Sequence, residues 1–162
     1  MNCRRKFVFA IVVALGSTAI AADKEKDIST VKVDLKQVKW KVPESIKDLF
    51  GYDEATKRLF YFANGAGDWM IKVPGDGEYQ ITVKAACDSA ENEKAKFKLS
   101  IADKLIGKET QLVDDAEKEY TFKGSLKGGE RKLTIEFTND VYKAGEFDRN
   151  LFIHAVTLKK VK

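Results

Sequence analysis

The chain is poor in the residues that most often do chemistry or fix a fold from outside. It has two Cys, one His, two Pro, two Met and two Trp among 162 residues. One of the two cysteines, Cys3, precedes the only long apolar run, so removal of that run leaves Cys87 alone. A single thiol excludes an intramolecular disulfide, and such a domain must rely on its core or on bound ions. Cys87 is either a nucleophile or a small buried hydrophobe; its place after Ala85 and Ala86, at the end of an apolar strand, favours the inert thiol. One His and one remaining Cys, far apart, exclude a zinc set. No nucleophile elbow and no Ser–His–acid arrangement is present, so nothing points to an enzyme.

What is there begins with a leader. Arg4, Arg5 and Lys6 precede the apolar run Phe7–Leu15, and Ala19-Ile20-Ala21 supplies small residues at a cleavage site. Residues 1–21 are predicted to be a secretory signal peptide, so the product is expected to be secreted, periplasmic or on the cell surface. Polar Ser17 and Thr18 interrupt the run, and no integral membrane span is expected after its removal. The leader takes three of 29 basic residues with it, leaving 26 against 25 acidic ones. A near-balanced charge implies neither nucleic acid nor an anionic membrane as partner.

Residues 22–30 read as a charged, flexible tail and 31–162 as one domain. Within it, apolar and polar residues alternate in short runs, the period of half-buried strands. Val31, Val33 and Leu35 form one such run; the phase slips at Gln37 and resumes at Val38, Trp40 and Val42. A bulge or a break between two strands accounts for the slip. Pro43 ends it, and Glu44–Leu49 has room for one helical turn. Leu59–Phe62 follows, then Asn64–Asp68 reads as a turn. Trp69, Ile71 and Val73 alternate into Pro74-Gly75-Asp76-Gly77, a tight turn. Further runs are Tyr79–Ala85, Phe97–Ile101, Tyr120–Phe122, Leu133–Phe137 and Leu151–Val161. Eight to ten short strands with evenly spaced turns predict an all-β, antiparallel β-sandwich, jelly-roll-like. Trp40 and Trp69 lie in strand patterns and are read as core.

One stretch departs from this alternation. Between Phe137 and Leu151 lie Asn139, Asp140, Tyr142, Gly145, Glu146, Phe147, Asp148, Arg149 and Asn150. Gly145 allows the segment to fold back and bring Asp140 and Asp148 together. Like charges repel unless a cation lies between them. Calcium suits such a place, since it takes 6–8 oxygens from carboxylates, amide and backbone carbonyls, and water. Arg149 is expected to orient Asp148 through a charge-assisted pair, and Asn139 and Asn150 to lock the loop ends by side-chain to backbone bonds. The bland alternative is a well-capped Asp/Asn-rich turn with no ion.

The order Phe137-Thr138-Asn139-Asp140, a short spacer, then Asp148-Arg149-Asn150-Leu151-Phe152-Ile153 resembles the signature of the calcium-dependent xylan-binding carbohydrate-binding modules of families 36 and 60. The likeness extends over about Gly77–Leu158. It implies a non-catalytic β-sandwich whose loop holds Ca2+, with sugar hydroxyls filling open positions on the ion. Asp140 and Asp148 would be side-chain ligands, carbonyls near Tyr142–Phe147 would complete the shell, and Asn139, Arg149 and Asn150 would support it. Tyr142, Phe147 and Glu146 are candidate sugar contacts; the partner would be xylan or a related glycan. The chain departs from the pattern at His154, where relatives carry an acid, and its spacer lacks Trp; His154 is read as a strand histidine with its bonds made. The alternative function is a structural or protein-interaction sandwich in which calcium, if bound, only stabilises the loop.

Overall fold

A computed structural model describes residues 30–162; the expected signal peptide and all of the expected tail except Thr30 lie outside the described residues. Fourteen strands and two 3-10 turns make up the described chain, and every strand pair is antiparallel. The strands are β1 (Thr30–Lys32), β2 (Lys39–Lys41), β3 (Phe50–Asp53), β4 (Arg58–Tyr61), β5 (Gly65–Val73), β6 (Gly77–Cys87) and β7 (Lys96–Ile101). Then come β8 (Lys104–Leu105), β9 (Thr110–Gln111), β10 (Lys118–Leu126), β11 (Gly129–Phe137), β12 (Tyr142–Lys143), β13 (Phe147–Asp148) and β14 (Leu151–Lys160). Four of these are two-residue pieces, which leaves ten of three residues or more, the upper end of the expected range.

Two six-stranded sheets enclose the core. The first runs β10-β6-β14-β4-β3 with β1 also on β14; the second runs β2-β5-β11-β7-β8 with β9 also on β7. Alternation assigns the inner faces. Tyr79, Ile81, Val83 and Ala85 of β6 meet Trp69, Ile71 and Val73 of β5 and Leu133, Ile135 and Phe137 of β11 in one buried cluster. Trp69 is core, as expected; Trp40 is half-buried and packs at 4.9 Å on Tyr61 and 5.3 Å on Phe50. No helix among the described residues is long and apolar enough to cross a membrane.

The phase slip near Gln37 is a break: a 3-10 turn over Leu35–Gln37, with the Asp34 carboxylate accepting from Lys36 N–H, separates β1 from β2. Glu44–Leu49 is a second 3-10 turn. The turn expected at Asn64–Asp68 is misplaced. Reversal takes place before Gly65, and Gly65–Asp68 begin β5. The glycines there serve close packing instead. A Cβ on Gly67 would sit 2.7 Å from Val38, and one on Gly65 2.7 Å from Phe50, so the strand admits no side chain at either place. Strand β3 goes unseen in the sequence because Phe50-Gly51-Tyr52-Asp53 is too short and too mixed to show a period.

Cys87 ends β6, buried, with its thiol against the Asp114 carbonyl and the Asp115 carboxylate. Burial pushes the thiol up to about 11, which fits the inert reading.

A register shift between Ile153 and Ala155 makes His154 the extra residue of a bulge in β14. Leu151 and Ile153 face the core before it, and Val156 and Leu158 after it. His154 Nδ1 meets the Glu117 carboxylate at 2.8 Å, while Nε2 is buried without a partner, so the histidine's bonds are only half made. Burial holds its pKa below the ordinary value; Glu117 opposes this, and Arg58 and Lys84 add to it. The unfolded chain therefore binds a proton on His154 before the folded one does. Stability is fully present above about pH 7.5 and is lost as pH falls through the ordinary histidine range. Urea unfolding in chelator at about pH 7.5 and pH 5.5 is expected to show a loss that shrinks in His154→Gln. An equal loss in both proteins would show that His154 does not contribute.

Candidate metal and ligand site

Strand register builds the site. Phe137, the last residue of β11, pairs with Gly65, the first of β5. Leu151, the first of β14, pairs with Cys87, the last of β6. The loop 138–150 thus crosses from one sheet to the other at one end of the sandwich. Asn64 and Asp88, distant in sequence, are brought beside it. Asn64 Oδ1 accepts from Asp140 N–H at 2.7 Å, and Asp88 N–H donates to the Asn150 carbonyl at 3.1 Å.

Within the loop, β12 and β13 form a small hairpin that sets Tyr142 opposite Asp148, and Gly145 at its tip takes φ of +75°. Arg149 N–H closes its base on the Val141 carbonyl at 3.0 Å. Asn139 locks the loop start as expected: Oδ1 accepts from Lys96 N–H at 2.6 Å and Nδ2 donates to the Lys94 carbonyl at 3.0 Å.

Two expected bonds are different. Arg149 does not hold the Asp148 carboxylate. Its buried guanidinium donates to the main-chain carbonyls of Asn139 (2.6 Å), Glu93 (3.2 Å) and Ala90. A fork of fixed donors suits a turn whose carbonyls point inward, and it ties the Ala90–Glu93 turn to the loop. Asn150, not Arg149, contacts Asp148: its Nδ2 donates to Asp148 Oδ2 at 3.2 Å and to Asp88 Oδ2 at 2.9 Å. The Asn150 side chain therefore bonds carboxylates rather than main chain.

These bonds leave a set of oxygens unused. Among the described residues six buried side-chain polar atoms have no partner, and three belong to this loop: Asp140 Oδ1, Asp148 Oδ1 and Asn150 Oδ1. All three are acceptors. Asp140 and Asp148 are half-buried, and the Asp140 pKa is raised, by burial first and then by the Asp148 charge, against a lowering by Arg149. The Asp140 carboxylate thus feels the Asp148 charge. No group of three or more His, Cys, Asp or Glu able to hold a metal occurs among the described residues. Any ion here must draw on amide and main-chain oxygens as well, which is the chemistry of calcium rather than zinc.

The remaining expected contacts divide. Tyr142 is 66% exposed and stands next to Asp148 in register; Phe147 is half-buried. Glu146 is exposed at the hairpin tip, with Lys143 Nζ 2.7 Å from its carboxylate. Sequence reasoning missed Phe62. The pairing of Tyr61 with Leu151 puts Phe62, one residue on, beside Asn150. It is 37% exposed, stacks on Phe60 at 4.7 Å and meets Phe152 edge-on at 6.2 Å. Only the strand register reveals it; its sequence context reads as buried strand.

A family model for calcium-dependent, xylan-binding carbohydrate-binding modules, family 60, matches residues 80–162, just over half of the chain. The chain belongs to this family. The match starts within β6 and contains every residue of the loop. No curated protein sequence matches. Among solved structures, a family 35 carbohydrate-binding module from Clostridium thermocellum is 11% identical with a TM-score of 0.55, over 82% of this chain and 99% of that one. A family 36 module in complex with calcium and xylotriose is 13% identical, TM-score 0.55, over 83% and 100%. The mannan-binding module of Man5C is 13% identical, TM-score 0.53, over 82% and 99%. At these identities the likeness is one of fold, and it covers β1–β5 as well, which the family model does not reach.

Asn139→Ala removes both partners that Lys96 N–H and the Lys94 carbonyl use. It is expected to cost about 1 kcal/mol in urea unfolding, since half-buried main-chain groups lose their partners. A cost within error of zero would mean that water replaces the side chain and that the loop does not depend on it.

Proposed function

We propose that this module binds polysaccharide, xylan or a related glycan, through a Ca2+ held in the loop 138–150. The observation that carries the reading is the trio of buried, unpartnered acceptors on Asp140, Asp148 and Asn150. Left alone, each costs about 1–3 kcal/mol, and two of them repel. One cation among them offsets all three penalties. Asp140 and Asp148 supply the charge, and the Asn150 amide oxygen and loop carbonyls supply neutral ligands. The bound ion provides exchangeable positions that a sugar diol can fill. Arg149, Asn139 and Asn64 keep the oxygens in place before the ion arrives, which lowers the ordering cost of binding.

The aromatics next to the site give the sugar a surface. Phe62, partly exposed and packed on Phe60 and Phe152, follows the Tyr61–Leu151 pair, and Tyr142 stands by Asp148. Saccharide C–H faces pack on such rings, while the ion reads the hydroxyls. A calcium ion held by Asp140 and Asp148 would occupy the carboxylates that glycoside hydrolysis needs free, which favours a binder over an enzyme. The leader-like N-terminus is consistent with action outside the cytoplasm.

Calcium titration tests the ion. At about 100-fold excess over its dissociation constant it should stabilise the protein by about 2.7 kcal/mol, a rise in Tm of roughly 5–10 °C. Asp148→Asn should remove the rise and, by deleting one of two like charges, leave the calcium-free protein no less stable. No rise in the parent at millimolar calcium would defeat the proposal.

Affinity electrophoresis in xylan, galactan and glucomannan, with and without chelator, tests recognition. Retardation should require calcium, and Phe62→Ala should weaken it about tenfold while keeping the calcium-induced rise in Tm. Retardation that survives chelator would remove the ion from recognition. A calcium effect without any glycan binding would support the purely structural sandwich.

A further inference from the structure

The outer face of the second sheet carries a feature that the ion site does not use. Strand β2 pairs with β5 only through Lys39–Lys41 against Asp68–Ala66, although β5 continues to Val73. Where β2 stops, a depression of about 260 Å³ opens on the sheet face, lined chiefly by Lys39, Trp40, Lys41, Asp68, Met70 and Lys132. Register accounts for the grouping: Lys39 lies opposite Asp68, and Lys132 opposite Met70.

Three ammonium groups surround one carboxylate. Asp68 is buried and its own needs are met, since Oδ1 accepts from Thr134 Oγ1 at 2.6 Å and Oδ2 lies 3.4 Å from Lys41 Nζ. Lys132 reaches out to Asp103 at the exposed rim at 2.5 Å. Lys39 has no carboxylate partner among the described residues. Edge protection explains lysines on β2, which is an edge strand. It does not explain Lys132 on the interior strand β11, nor Met70 with 61% of its surface exposed between these charges. Exposed Lys39 and Lys41 and half-buried Lys132 around an exposed thioether form a shelf that is apolar in the middle and positive at its border.

We propose that this shelf is a second, ion-independent saccharide site that takes a carboxylated polysaccharide, one with uronate units. Met70 would contact the C–H face of a sugar ring, and Lys39 and Lys132 would meet ring carboxylates. Charge complementarity selects the ligand: a neutral chain gains nothing from the ammonium groups, whereas a uronate chain meets Lys39, which has no carboxylate of its own among the described residues, and can take Lys132 from Asp103 at the exposed rim. The site is separate from the loop. Asp68 and Met70 point outward from the sheet that contains β5, whereas Asn150 and Phe62 adjoin β14 and β4 of the opposite sheet.

Affinity electrophoresis of the full chain in polygalacturonate, with chelator and low salt, provides the test. The expected result is retardation without calcium, absent in neutral xylan under the same conditions and lost as salt rises to about 0.2 M. Lys39→Ala with Lys132→Ala should weaken it about tenfold and Met70→Ala several-fold, while Asp148→Asn leaves it intact. Lys118→Ala with Lys123→Ala removes equal charge from β10 on the other sheet and should have no effect. The proposal is overturned if polygalacturonate causes no retardation in chelator, or if both lysine pairs weaken it equally. Either result leaves the calcium reading untouched, because that reading is judged by the rise in Tm and by neutral glycans.

Discussion

The buried guanidinium of Arg149 is the contact on which the ligand end of this sandwich depends. A charge that deep is tolerated because main-chain carbonyls take up its donors, three of them from two separate segments. The Ala90 and Glu93 N–H groups already donate to two of them within their own turn, and the guanidinium adds a second bond to these carbonyls. By collecting them, one side chain fixes the Ala90–Glu93 turn, the start of the crossing loop and, through its own main chain, the base of the β12–β13 hairpin. The arrangement leaves one carboxylate oxygen each of Asp140 and Asp148 without a hydrogen-bond donor. An arginine paired to Asp148 would have satisfied an oxygen that here has no partner.

Much of the fold was legible because the inner faces alternate cleanly. Tyr79–Ala85, Phe97–Ile101 and Leu133–Phe137 announce their strands, and each buries the residues its period assigns. Legibility failed where local composition served packing. Gly65 and Gly67 look like turn residues, yet they stand in a strand that Val38, Trp40 and Phe50 approach too closely for a side chain. β3 is four residues held by its neighbour, and no window of sequence that short shows a period.

The site divides in the same way. The residues that bear charge, Asp140 and Asp148, lie within one short segment, and composition alone marks it. Their partners do not. Asn64 and Asp88 arrive through two strand pairings, Phe137 with Gly65 and Leu151 with Cys87. Phe62 arrives through a third. No local signal distinguishes these three from ordinary loop and strand residues, since their roles follow from register, which is a property of the whole sheet. The partner of Arg149 was also out of reach, because adjacency to Asp148 in sequence says little about where a long side chain turns.

The bulge at His154 shows another aspect of that dependence. β14 presents odd-numbered residues to the core on one side of it and even-numbered residues on the other, so the strand is two rulers joined with an offset of one mark. What the join conserves is a count. Replacing His154 changes what one position can bond, but deleting it would turn one half of the strand over, exposing Val156 and Leu158 or else Leu151 and Ile153. The half that leads back to the crossing loop and the half that anchors β1 can keep their faces only while the extra residue lies between them.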